Sequence, residues 1–308
     1  LLEETATTTR QRATKHSISR LFLMLLTLFL MLIGINVLYT WAANWQGILR
    51  GDPGELLYAA GFDAFSEEWQ QYSGREAAQI QEGALRIRME STLGTVFSAA
   101  QPHFADFDVA VTTRAVEGDI DNAYGIAFRL QQPQSDCDMS LIILCDLSRI
   151  DLFGVPLRLL FRPQDEPIGF YLFLISSDGF YSVWRGADGE TRKLSTWIAS
   201  DAIRQGLDVE NRIRVIGRAD AYQFFINDTQ VELCIPDDPA GISTFASEQC
   251  FEGSMQPTLQ DDTFQQGQIG LVLDTTQTGN TGIMVEFDDV VVFSPVDEFN
   301  ELEGGSQT

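Results

Sequence analysis

Residues 170–185 read FYLFLISSDGFYSVWR, and their pattern decides the fold. Two runs rich in aromatic and branched residues, Phe170–Ser176 and Tyr181–Arg185, flank Asp178-Gly179. That pair suits a β-hairpin, because its glycine tolerates the positive φ that tight hairpin turns require. Similar short runs, punctuated by Gly, Asp and Asn, recur at Gly83–Glu90 (GALRIRME), Phe107–Ala115 (FDVAVTTRA) and Tyr124–Leu130. They return at Arg212–Gly217, Tyr222–Asn227, Ile269–Asp274 and Ile283–Phe293. Such spacing predicts strands of a two-sheet antiparallel sandwich. One helical turn is expected at Ser200–Gln205, with Ser200 as cap and Gly206 as stop. A transmembrane barrel fits less well, since the strands lack a repeated lipid-facing alternation.

Outward from these strands the composition is uneven. The 308 residues carry 44 acidic and 20 basic side chains. That balance argues against a nucleic-acid partner, which needs a basic face. A hydrophobic fraction of 44% excludes wholesale disorder. Two histidines and four cysteines without a CxxC leave little stock for a zinc site or covalent haem. No charged residue lies between Arg20 and Arg50, and Leu21–Ala43 reads LFLMLLTLFLMLIGINVLYTWAA. As a helix, 23 residues span about 34 Å, enough for a ~30 Å hydrocarbon core. Tyr39, Trp41 and Trp45 stand at its far end, where amphipathic rings prefer the headgroup layer. Arg10, Arg12, Lys15 and Arg20 precede it against Glu3 and Glu4, leaving 16 basic and 42 acidic residues for the rest. Positive charge before an apolar helix places the N-terminus in the cytoplasm and the acidic part outside. A cleaved signal peptide is the rival. Its apolar region is shorter, and Thr40-Trp41-Ala42 is a poor cleavage site.

Several motifs resemble a known family. Phe62-Asp63-Ala64-Phe65 with Trp69, then Gln81-Glu82-Gly83-Ala84-Leu85, looks like the opening of concanavalin A-like, laminin-G-type jelly-roll domains. Phe104–Asp108 (FADFD), Asn122–Arg129 (NAYGIAFR), Gly267–Leu271 (GQIGL) and Val285–Val290 (VEFDDV) continue the likeness, over about residues 56–296. It is similar to the keto-disaccharide hydrolase-like branch. The resemblance implies an all-β antiparallel two-sheet jelly-roll sandwich, here behind one N-terminal transmembrane α-helix. The expected layout is a cytoplasmic tail at 1–20, the membrane helix at 21–45 and a linker at 46–55. The sandwich follows at 56–297 and a tail at 298–308.

A sugar-cleaving jelly roll needs two carboxylates facing a cleft. Glu286 and Asp288 share a strand face, but the third member of an E-x-D-x-x-E pattern is replaced by Val291. Glu67 and Glu68 beside Trp69 are adjacent and so point to opposite faces of a strand. His103 is the one histidine after the apolar segment, and no serine lies in G-x-S-x-G. No catalytic residue and no cofactor is therefore assigned. Asp63, Asp288 and Asp289 are candidates for a structural calcium, whose hard charge suits carboxylate oxygens. Tyr181, Trp184 and Trp197 are the glycan-stacking candidates. Tyr181 and Trp184 differ in parity, so at least one belongs to the core.

Two segments break the pattern. Between Leu130 and Phe170 (about 131–169) lies an apolar insertion holding Met139–Leu144 and Ile150–Phe161. It reads either as extra core strands or as a docking surface for a partner or the bilayer, with Leu141, Ile142, Ile143, Leu144, Leu152 and Phe153 as candidates. The second, about 233–266, is polar and loop-like. Each holds two cysteines, Cys137 and Cys145 in one, Cys234 and Cys250 in the other. Local pairing is simplest, a bridge between insertions is the alternative, and an outside location favours disulfides. Asn227-Asp228-Thr229 is a formal glycosylation sequon. Together these readings give a non-catalytic, membrane-anchored extracytoplasmic interaction module. Its expected role is an accessory subunit whose partners are the bilayer and other complex subunits. A cell-envelope glycan-binding module is the alternative, and a glycosidase-like enzyme the second.

Overall fold

The computed structural model describes residues 47–90, 94–131, 169–275 and 282–296, together with 24, 26–28, 30, 31, 34 and 35. Contacts divide the chain into Leu1–Gly47 and Ile48–Thr308. In the first unit residues 24, 26–28, 30, 31, 34 and 35 are helical and exposed. Among the described residues no helix is long and apolar enough to cross a membrane, and most of the expected span 21–45 lies outside them.

The second unit is built of strands. In chain order they are β1 (Ile48–Leu49), β2 (Leu56–Ala60), β3 (Glu76–Gln81), β4 (Ala84–Met89), β5 (Gly94–Phe104), β6 (Phe107–Glu117) and β7 (Ala123–Gln131). Next come β8 (Gly169–Ser176), β9 (Phe180–Ala187), β10 (Glu190–Ala199), β11 (Glu210–Arg218), β12 (Ala221–Ile226) and β13 (Thr229–Val231). Then follow β14 (Leu233–Pro236), β15 (Thr244–Ala246), β16 (Gln249–Phe251), β17 (Gly253–Gln256), β18 (Leu259–Gln260), β19 (Gly267–Thr275) and β20 (Ile283–Phe293).

Among the described residues, a seven-stranded sheet runs β1-β5-β19-β7-β8-β9-β10. A nine-stranded sheet runs β13-β12-β11-β6-β20-β4-β3, with β18 on β12 and β2 on β20. Pairing is antiparallel except for β1 on β5. Early and late strands meet in both sheets, β5 against β19 and β4 against β20, so the domain closes on itself.

The two sheets pack face to face through aromatic rings. Phe128 on β7 lies 5.2 Å from Tyr222 on β12 and 5.9 Å from Phe107 on β6, and Phe173 on β8 lies 4.9 Å from Phe224. Alternation explains the pattern, since every second residue of a strand faces the same way. The expected hairpin forms as read: β8 and β9 pair across a turn in which Gly179 has φ 99°. At Gly125 a side chain is excluded for another reason, because a Cβ there would meet the Phe173 carbonyl oxygen at 2.0 Å.

Four expectations are corrected or extended. Ser200–Gln205 is a turn, not a helix. Ser200 Oγ accepts from the Ala202 N–H, while the Asn211 side chain clamps both backbone groups of Arg204, so no helical ladder remains. The 233–266 segment is not loop-like: β14 pairs β17, β15 pairs β16, and Cys234–Cys250 joins the two hairpins. Leu233 and Cys234 are fully buried. Strands β2, β3, β5 and β10 were not expected. β10 breaks register twice, between Lys193/Ser195 and Ser195/Ile198, which hides its alternation. The 46–55 segment is part of the sandwich, because β1 pairs β5 and the Gly54 N–H donates to Ser294 O. The insertion with Cys137, Cys145, Leu141, Ile142, Ile143, Leu144, Leu152 and Phe153 lies outside the described residues.

Candidate functional site

Strand parity separates the two faces of the seven-stranded sheet. Tyr171, Phe173 and Ile175 of β8 enter the inter-sheet core, so Phe170, Leu172, Leu174 and Ser176 point the other way. On β9, Tyr181 and Val183 point inward while Phe180, Ser182 and Trp184 point outward. Tyr181 is thus not a surface aromatic. It packs on Phe173 and its hydroxyl donates to Glu232 O. Trp184 and Trp197 are half-buried and share the outward face.

At the end of that face beside the β8–β9 turn lies a cavity of about 250 Å³, lined by Asp121, Ser176, Asp178, Phe180 and Trp197. Its walls are fixed by backbone bonds. Gly179 N–H donates to Ser176 O at 3.1 Å, Asp178 N–H to Ile120 O at 3.0 Å and Ser200 N–H to Gly179 O at 2.9 Å. Ser176 Oγ donates to the Asp178 carboxylate. A Cβ at Gly179 would strike Gln205 Nε2 at 2.4 Å, so the turn is closely backed. Above this frame Phe180 stays 39% exposed.

A ring beside carboxylates matches what a sugar presents, namely an apolar C–H face and hydroxyls at its rim. Pockets of this kind use apolar walls for affinity and a few placed polar groups for orientation. The same face holds another carboxyl nearby. Asp274 pairs Ala123 on β7, and Ala123 pairs Ser176 on β8. Burial pushes the Asp274 carboxyl above its ordinary value, partly offset by the Thr95 hydroxyl 2.7 Å away. Farther along, Lys193 Nζ sits 4.9 Å over the Trp184 ring.

The expected acid pair lies elsewhere. Glu286 and Asp288 are on the outer face of the nine-stranded sheet, and Glu286 stands between Arg86 and Arg114 on the two flanking strands. Arg86 Nε donates to it at 2.7 Å, and Arg114 donates to its other oxygen. Burial would raise this carboxyl, but the bonds and charges of both arginines outweigh it and hold the group below the ordinary carboxylate range. An ion so held is no proton donor. Glu67 and Glu68 are exposed beside the buried Trp69. Asp288 has its carboxyl raised by burial, with Asp289, Asp63 and Glu210 adding like charge. Among the described residues no group of three or more His, Cys, Asp or Glu is arranged to hold a metal. The sequon is also spoken for, since Asn227 Nδ2 donates inward to Ala202 O and Asn211 Oδ1, 2.8 Å each.

A second cavity, about 450 Å³, opens among Arg50, Ala105, Asp106, Ala219, Gln265 and Gln266. The buried Arg129 below donates to the carbonyls of Ala105, Gln265 and Ala219, tying three loops together. Its role is structural.

Asp121, Asp178, Phe180 and Asp274 were not singled out from sequence. Phe180 and Trp184 share strand parity, and that signal was available.

No family model matches the chain, and no curated protein matches it. Solved structures do. A carbohydrate binding module, CBM66, from Bacillus subtilis aligns with 13% identity and a TM-score of 0.43 over 74% of this chain and 96% of that one. A protein of unknown function with a galectin-like fold, also from Bacillus subtilis, aligns with 12% identity and a TM-score of 0.48 over 80% and 99%. A Bacillus licheniformis β-glucanase aligns with 7% identity and a TM-score of 0.43 over 80% and 99%. At such identities and scores these likenesses carry no ligand or activity over to this chain.

Proposed function

We propose that this domain binds glycan, with the sugar seated at the β8–β9 turn between Trp197, Phe180, Asp121 and Asp178. The observation that carries the reading is the cavity itself, where an exposed ring and a tryptophan stand beside two carboxylates on a backbone-fixed frame. Trp197 and Phe180 stack on the sugar's C–H face, and the carboxylates accept its hydroxyl protons. The sandwich is read as concanavalin A-like on the motifs that resemble that family. An outward-facing, membrane-tethered location is part of the proposal, supported by the Cys234–Cys250 disulfide and the charge asymmetry around 21–43. The accessory-subunit reading draws no support from the described residues, because its surface at 141–153 lies outside them.

A glycan array probed with the wild-type domain is expected to give signal that Trp197→Ala lowers roughly 10- to 100-fold, the size of a hot-spot aromatic. Asp178→Asn is expected to weaken it less. No wild-type signal, or signal indifferent to both changes, overturns the proposal. Release of reducing ends from the bound glycan, abolished by Asp274→Asn, would show a hydrolase instead.

A further inference from the structure

The outward aromatic residues of β9 and β10 differ in the charges that stand beside them. The breaks in the β10 register leave Thr196 and Trp197 together opposite Ser182. A bulge of this kind re-aims a side chain. Here it sets Trp197 on the outward face between Phe180 and Trp184, which lie two positions either side of Ser182. Trp184 carries a cation of the chain's own, the Lys193 ammonium 4.9 Å above its ring. Among the described residues no cation stands over Trp197 or Phe180. At that end of the row the charged groups are acidic instead. The cavity there is lined by Asp121 and Asp178 and by no basic side chain. Asp178 accepts a hydrogen bond from the Ser176 hydroxyl on Oδ1, and its Oδ2 receives none from the described residues.

We propose that the sugar taken at this cavity is an amino sugar with its amine free, a 2-amino-2-deoxyhexose whose ammonium sits where the chain supplies no cation of its own. The inference rests on the glycan reading above and names the class of sugar. Rings such as Phe180 and Trp197 accept the C–H face of any hexose, so the carboxylates make the distinction. A neutral hydroxyl offsets little of the hydration a carboxylate gives up, whereas an ammonium makes charge-assisted bonds about twice as strong. An ammonium over a ring also gains the attraction that Lys193 shows at Trp184. Acetylation of the amine removes the charge and both gains. A uronate or a sulfated sugar brings like charge against Asp121 and Asp178 and is rejected. The wider field acts in the same direction, because the chain beyond Arg20 carries 42 acidic and 16 basic residues. Such a balance draws cationic ligands in and repels anionic ones.

Calorimetric titration of the full-length protein tests the inference with four tetrasaccharides of one linkage, built from glucosamine, N-acetylglucosamine, glucose or glucuronate. The glucosamine tetramer is expected to bind roughly 10-fold or more tighter than its acetylated form, and the glucuronate tetramer to bind weakest. The preference is expected to shrink with added salt. It is also expected to fade as pH rises through the titration of the sugar's own amine, while binding of the acetylated tetramer stays flat. Asp121→Asn with Asp178→Asn is expected to narrow the ratio between the two, whereas Trp197→Ala lowers affinity for both.

Equal affinity for the free and acetylated amines, still weakened by Trp197→Ala, overturns the amino-sugar inference and leaves the glycan reading standing. Tighter binding of the glucuronate tetramer overturns it in the same way. Binding of none of the four overturns it too, and the glycan array then decides the broader reading. Trilysine that displaces the glucosamine tetramer at equal concentration shows a site for any cation and contradicts the inference. Should the double variant fail to fold, the wild-type ratio and its pH dependence decide.

Discussion

The outer faces of the two sheets solve opposite problems. On the nine-stranded sheet, charged side chains oppose one another across neighbouring strands. Arg86, Glu286 and Arg114 align on β4, β20 and β6, and Arg214 Nε reaches Asp108 at 2.6 Å. That is how a sheet face meets water. On the seven-stranded sheet the corresponding face is apolar, floored with glycine and alanine, and buried. Each face holds a shielded carboxyl, shifted in opposite directions. Glu286, between two guanidinium groups, is held ionised; Asp274, with a hydroxyl for company, keeps its proton to higher pH. Location on a strand does not decide a carboxyl's chemistry; its partners do. The difference also locates function, because a face already neutralised by its own ion pairs has little left to offer a ligand.

The contrast can be broken at its strongest points first. Leu174→Ala, on a face that should be surface in a two-layer protein, is expected to cost about 3 kcal/mol in urea unfolding, as in a core. A cost below about 1 kcal/mol means the face is open to solvent. Glu286→Gln removes the carboxylate shared by Arg114 and Arg86, although Arg86 keeps Glu82 at 2.6 Å and both arginines reach water, and is expected to cost ~2 kcal/mol at pH 7. Because the folded carboxyl is held below its unfolded value, the stability it confers is present above the ordinary carboxylate range. It is lost as pH falls through the folded value, so melts of wild type and variant converge in acid. A constant gap across pH would disprove the ion-pair origin.

Removing Cys234–Cys250 by a double change to serine opens a 16-residue separation and is expected to cost about 3 kcal/mol or somewhat less by chain entropy. The same bond predicts that both thiols resist alkylation in unfolded protein until a reductant is added. Asp274→Asn reverses the Glu286 behaviour. A carboxyl raised in the folded state penalises folding once ionised, so the variant is expected to equal or exceed wild type at pH 7. The advantage disappears in acid, where the native group is protonated. At the small end, Arg88→Ala removes a half-exposed pair with Glu90 and is expected to shift stability by under ~0.5 kcal/mol.

Much of this was legible before the structure. The hairpin at Asp178-Gly179 and the nine strand runs follow from turn chemistry and alternation, which act locally. Strands such as Glu190–Ala199 escaped because two bulges break the alternation, and Leu56–Ala60 because it is short and half-exposed. Parity kept Tyr181 and Trp184 apart, but which of them faced the core depended on the packing of two sheets. The cavity was the least legible. Asp178 read as a turn residue, Asp121 and Phe180 were not singled out, and only the folded hairpin brings them to Trp197. Glu286 shows the converse: its spacing suggested chemistry, while its arginines come from residues 172 and 200 positions away.

The most direct test is a titration of the isotopically labelled protein with its strongest array glycan, followed by amide and indole proton–nitrogen spectra. The account predicts perturbations concentrated at Asp121, Asp178, Gly179, Phe180 and the Trp197 indole. Perturbations on the Glu286 face instead, or none at saturating glycan, would contradict it.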